Sequence, residues 1–178
     1  MYVVFIHGPP AAGKYTVGEL VAEKLGIPLF HNHLTVDLVG TLFEFGTPEF
    51  VAMREKVWLD GFAAAAESGQ SFVFTFNPET TVAQETLDRL EKAVTGNAGR
   101  VFYVELKCDE EEIEKRLTRK SREEFGKLTD LDLYRQLRSA GAFDEPVLPP
   151  ALVTIDTSEN PPAATAKVIT DAVNAAAK

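Results

Sequence analysis

The stretch Gly8-Pro9-Pro10-Ala11-Ala12-Gly13-Lys14-Tyr15-Thr16 decides the fold. Before it runs a continuous apolar segment, Tyr2–His7. Such a run ending at a Gly/Pro cluster predicts a strand buried on both faces of a parallel sheet. After it, Val17, Leu20, Val21 and Leu25 recur at helical spacing, and Gly26 is a stop signal. The order is therefore strand, loop, helix. Glycines in such a loop let the backbone curl until several N–H groups point at one anion, and the helix N-terminus adds partial positive charge. The residues expected to hold a nucleotide's phosphates are Gly8, Ala11, Ala12, Gly13, Lys14, Tyr15 and Thr16, with Lys14 reaching the β- and γ-phosphates. The plain structural alternative is a Gly-rich connection that binds nothing.

One position departs from this pattern. The residue after the lysine is normally Ser or Thr, whose hydroxyl ligates Mg²⁺. Here it is Tyr15, whose phenol oxygen lies a whole ring away from the backbone. Thr16 is the expected substitute ligand, unless water fills the place.

Further along, the same alternation repeats. Pro28–His31, Phe72–Phe76, Val101–Leu106 and Leu152–Ile155 read as strands. Thr35–Phe45 and Pro48–Glu67 read as helices, the second with Phe50, Met53 and Val57 on its apolar face. A capping box, Thr81 to Gln84, opens a helix striped by Ala83, Leu87, Leu90 and Val94. Asp109–Glu112 opens another in acidic residues, which basic ones close. Asn160 and Pro161 predict the start of the last helix, with Val168, Ile169, Ala172 and Val173 on its apolar face. Strands alternating with helices predict an α/β domain over 1–178 with about five parallel strands covered on both faces. Ligands in such sheets bind beyond the carboxyl ends of the strands.

The composition narrows the partners. Asp and Glu number 27 against 18 Lys and Arg, a formal net charge of −9, which argues against a surface built for nucleic acid. Cys108 is the only cysteine, so there is no disulfide framework and no zinc spacing, and a reducing, cytoplasmic setting is expected. No run approaches transmembrane length.

From these residues the chain resembles the shikimate-kinase-like group of small P-loop kinases, related to gluconate kinases, chloramphenicol phosphotransferases and adenylate kinases. The resemblance implies a three-layer P-loop fold with a lid over 119–130 and an acceptor-binding helical segment over 33–68. It implies ATP and Mg²⁺ as cofactors, and a small hydroxylated molecule as acceptor. Pro28–His33 lies where that group ends a strand in Asp-x-Asp, but His31 and His33 replace both aspartates. Phe43–Gly46 through Phe50, Arg54 and Glu55 resembles the acceptor-binding stretch, and Arg138 lies where the group has another acceptor-binding arginine. Arg116, Arg119 and Arg122 match lid arginines; Thr157, Ser158 and Pro161 match the loop bordering the adenine. The group's glycine-rich loop after the third strand is absent, and Thr75-Phe76-Asn77-Pro78 stands there, with Thr75 and Asn77 as candidate acceptor contacts.

For each candidate a plainer role stands beside the chemical one. His33 and Asp37, four apart, can share a helix face, so that Asp37 fixes the His33 tautomer and His33 takes the acceptor proton. His33 can equally bond backbone at a helix start. Asp37 is also a candidate Mg²⁺ partner. His31 faces a phosphate or packs at a strand end. Arg54 holds an anionic group of the acceptor or lays its stem over the core. Arg116, Arg119, Lys120 and Arg122 offset a helix dipole, or close over ATP, with Arg119 as the catalytic candidate. Two functions follow: transfer of the γ-phosphate of ATP to a small acceptor's hydroxyl, by a monomer or homodimer, or a nucleotide-binding sensor with little catalysis.

Overall fold

The computed structural model describes residues 1–118, 128, 130–144 and 146–178. Among these residues five strands form one sheet: β1 (Tyr2–His7), β2 (Leu29–His31), β3 (Phe72–Phe76), β4 (Arg100–Lys107) and β5 (Val153–Asp156). All neighbouring pairs are parallel, in the order β2-β3-β1-β4-β5. Among the described residues seven helices connect and cover them: α1 (Lys14–Leu25), α2 (Asn32–Gly40), α3 (Pro48–Glu67), α4 (Gln84–Thr95), α5 (Glu110–Leu117), α6 (Leu131–Ser139) and α7 (Pro162–Ala176).

Alternate residues of β1 feed two separate cores, as strand geometry requires. Val4 and Ile6 meet Val17 and Val21 of α1 and Ile169 and Val173 of α7. Val3 and Phe5 face the other way, against Trp58 and Phe62 of α3 and Leu87 and Leu90 of α4. That second core is aromatic. The Phe5 ring lies 5.2 Å from those of Phe74 and Tyr103, at the tilted angles such pairs favour. Fully burying one such side chain is worth about 1.5–3 kcal/mol, and these layers fix the central strands on which the loops stand.

Several boundaries differ from expectation for local reasons. The helix α2 starts at Asn32, earlier than Thr35, because Thr75 Oγ1 accepts the Asn32 N–H at 3.3 Å; a turn follows Gly40, so Phe43–Phe45 lies outside it. The Thr81 capping box does not form, since the α4 N-cap is Ala83 and the Thr81 hydroxyl donates to Glu79. In α3 the buried stripe is Phe50, Arg54, Trp58, Phe62 and Ala66, spaced by four, which leaves Met53 38% exposed. Along α7, Ile169 and Val173 are buried but Val168 is exposed. Among the described residues no helix is long and apolar enough to cross a membrane.

Candidate active site

The loop between β1 and α1 takes the strained path its glycines allow. Gly13 is left-handed at φ 88° and caps α1, and Ala11 is also left-handed at φ 61°. A Cβ on Gly8 would stand 2.2 Å from the Leu106 carbonyl oxygen of β4, so the loop passes where only glycine fits. Lys14 Nζ folds back over the loop, donating to the carbonyls of Gly8 and Pro9 at 2.7 Å each and to Asn77 Oδ1 at 3.3 Å. The lysine therefore bridges the β1–α1 loop and the segment after β3.

Around this loop opens a cleft of about 800 Å³ at the carboxyl ends of the strands. One wall is set by Arg116 of α5. Its Nη2 donates to the Thr157 carbonyl at 2.6 Å, Nη1 to Thr157 Oγ1 at 3.2 Å, and Nε to Glu112 at 2.8 Å. Thr157 Oγ1 lies 3.0 Å from both the Ala12 and Lys107 carbonyl oxygens, so the loop after β5 is pinned to the cradle. Asn160 and Pro162 continue this wall. Ser158 and Pro161 stand aside: Ser158 Oγ accepts the Asp109 N–H at 2.7 Å, and Pro161 is the α7 N-cap. Asp156 accepts the Ser158 N–H, which holds its carboxyl below the usual range.

Opposite lie Asn32, His33, Thr75, Asn77 and Glu79, with Phe45 beside them. Tyr15 presents its ring edge-on to His31, 4.9 Å between centroids, and its hydroxyl donates to Glu19 at 2.6 Å. That bond raises the phenol's pKa, and Tyr15 and Thr16 both border the cleft. Beneath the loop, His7 is buried at the end of β1, and burial pushes its imidazole down to about 4, with Glu105 opposing and Lys14 adding to the effect.

Some expected contacts do not reach this cleft. Asp37 is exposed on α2, one turn beyond His33, and does not border it. Arg54 is fully buried: its guanidinium lies 4.8 Å from the Trp58 ring centroid and pairs with Glu79, so it touches no open space. Arg138 is held by Glu110 at 2.7 Å across α5 and α6. His31 packs on Tyr15. Arg119 and Arg122, and with them most of 119–130, lie outside the described residues. Glu79 and Asn32 border the cleft without having been singled out by motif. The position of Glu79 three residues after β3 was the available signal, since strand ends carry the ligand loops. Among the described residues no cluster of three or more His, Cys, Asp or Glu could hold a metal.

No protein-family model and no curated sequence matches the chain. Solved structures do. Shikimate kinase from Aquifex aeolicus superposes with a TM-score of 0.61 at 18% identity, covering 99% of this chain and 98% of that one. A gluconokinase from Sinorhizobium meliloti gives 0.63 at 17% identity, covering 98% and 93%. The Mycobacterium tuberculosis APS kinase, solved with AMPPNP and APS, gives 0.63 at 18% identity, covering 97% and 96%. The fold is that of the small P-loop kinases. The five-stranded parallel sheet with its covering helices matches that architecture end to end.

Proposed function

We propose that this chain is one kinase domain that moves the γ-phosphate of ATP to a hydroxyl of a small acceptor, with 33–68 as its acceptor-binding segment and 119–130 as its lid. The observation that carries this reading is the bridge made by Lys14, from the cradle carbonyls of Gly8 and Pro9 to Asn77 on the acceptor side. A phosphoryl group in transit would need a cation at that point. Neighbours of the same fold that phosphorylate small molecules support it.

In this reading the N–H groups of Ala11–Thr16 receive the phosphates and Lys14 exchanges its carbonyl partners for their oxygens. Arg116 keeps Thr157 and the cradle in one rigid unit, beside which the adenine would lie. His33, on the first turn of α2 and bordering the cleft, is positioned to take the acceptor proton. Arg119 and Arg122 would close over the nucleotide from the lid. Thr16 fits as the residue that would hold Mg²⁺, because it borders the cleft with a hydroxyl on Cβ, whereas the Tyr15 hydroxyl is bonded to Glu19. Mg²⁺, when bound, draws charge from the β- and γ-oxygens.

The bond of the Tyr15 hydroxyl to Glu19 favours a second reading, a nucleotide sensor with little turnover. ADP release by purified protein with Mg²⁺, against a panel of small hydroxylated metabolites, separates the two. Stimulation by one acceptor, lost in Lys14→Ala, is expected. ATP binding without stimulation by any acceptor would favour the sensor.

A further inference from the structure

Arg54 and Glu79 form an ion pair whose two ends have very different surroundings. The arginine is 0% exposed, between the rings of Phe50 and Trp58 at 5.7 and 4.8 Å, while the glutamate side chain is 18% exposed and borders the cleft. Arg54 Nη1 donates to Glu79 Oε1 and to Thr81 Oγ1 at 3.2 Å, and Nη2 donates to the Thr81 carbonyl at 3.1 Å. Thr81 Oγ1 in turn donates to the same Oε1 at 2.9 Å. Oε1 is thus held by two donors, and among the described residues Oε2 has none. Burying a charge this deeply is costly, and a hydrophobic residue of similar size would pack the α3 stripe as well. What the pair achieves is a carboxylate fixed in one orientation at the mouth of the loop after β3.

An ionised carboxylate only accepts hydrogen bonds. Its neighbours on this side of the cleft, Asn32, His33, Thr75 and Asn77, are uncharged hydrogen-bonding groups or a histidine. The only arginine of the acceptor helix is already spent on Glu79. Resting on the kinase reading above, we infer that Glu79 Oε2 receives a hydroxyl or ammonium donor of the acceptor, so that this end of the cleft selects a polyol or amino-polyol and rejects the corresponding acid. A carboxylate there would set two acceptor groups face to face with no proton between them.

The test compares kcat/KM for neutral sugars, amino sugars and the matched sugar acids, read as Lys14-dependent ADP release. The wild type is expected to prefer a neutral or amino member over its acid by about tenfold or more, since unpaired like groups in a binding site are strongly disfavoured. In Glu79→Gln, whose amide can also donate, that preference should fall to within about threefold, through acceptor KM more than nucleotide affinity. Because the single change strands a buried arginine, the double variant Arg54→Met/Glu79→Gln is measured beside it and should show the same loss of discrimination. Preference for the acid in the wild type, or unchanged discrimination in both variants, overturns the inference and leaves the kinase standing. A rise in the Mg²⁺ requirement with acceptor discrimination intact would make Glu79 a metal partner and equally overturn it. No stimulation by any panel member would remove the kinase reading and this inference together.

Discussion

Arg116 holds Thr157 at two points, its carbonyl through Nη2 at 2.6 Å and its hydroxyl through Nη1 at 3.2 Å. Since Thr157 also reaches the Ala12 and Lys107 carbonyls, one guanidinium ties α5, the end of β4, the loop after β5 and the phosphate cradle together. A charged donor lost from such a network costs about 2 kcal/mol. Arg116→Ala should therefore lower the melting temperature by about 4–8 °C for a chain of this size. It should also weaken ATP binding by tenfold or so, as the cradle loses its flank and its positive charge. Arg116→Lys should not restore binding, because an ammonium cannot present the two parallel donors that Thr157 accepts. Differential scanning calorimetry and nucleotide titration read both effects. Unchanged ATP affinity in Arg116→Ala would separate this residue from the nucleotide.

Gly8 offers a sharper test of the loop's path. A methyl there meets the Leu106 backbone oxygen at 2.2 Å, and backbone of a central strand cannot yield as a side-chain tip can. Gly8→Ala should cost about 3 kcal/mol or more. Gly26→Ala, at φ 65° but with open space around it, should cost only about 1 kcal/mol. Urea midpoints of the two variants give the comparison. Similar midpoints would mean that the β1–α1 loop runs elsewhere.

Tyr15 stands where a short hydroxyl would serve Mg²⁺, and its own oxygen is committed to Glu19 at 2.6 Å. Tyr15→Ser puts a hydroxyl on Cβ, in the first turn of α1, close to where the phosphates would lie. The Mg²⁺ concentration for half-maximal turnover should fall severalfold. The losses, one exposed hydrogen bond and an edge contact with His31, should amount to less than about 1 kcal/mol. An unaltered Mg²⁺ dependence would indicate that Thr16 already supplies the ligand.

The sheet was legible in the sequence because its strands are continuous apolar runs; Tyr2–His7 and Phe72–Phe76 were read residue for residue, and the other three to within one residue at each end. The strand–loop–helix order around Lys14 was legible because a Gly/Pro cluster there separates an apolar run from a helical stripe. Arg54 was not. Its helical spacing with Phe50 and Trp58 was visible, but whether an arginine on an apolar stripe points out or in depends on a partner 25 residues away, and Glu79 carries no local sign of that pairing. The start of α2 failed for a similar reason, since its first N–H is satisfied by Thr75 from another strand. Pattern reports periodicity within a segment, whereas these features were decided by contacts between segments.

His7 gives the pH dependence. It ends β1 between Phe76 and Glu105, its side chain is buried, and its Nε2 has no hydrogen-bond partner among the described residues. Burial holds the folded-state pKa near 4, against 6.5 for the unfolded chain. The folded protein thus refuses a proton that the unfolded chain takes up. The stability is fully present above pH 6.5 and is lost as pH falls toward 4, below which no more is lost from this group. The interval corresponds to something on the order of 3 kcal/mol. Urea unfolding of the wild type at pH 7 and at pH 4.5 should show that loss. In His7→Gln, whatever its stability at pH 7, the slope across the same interval should be shallower by most of it. Parallel slopes would show that His7 titrates normally in the folded protein, and that another group sets its acid sensitivity.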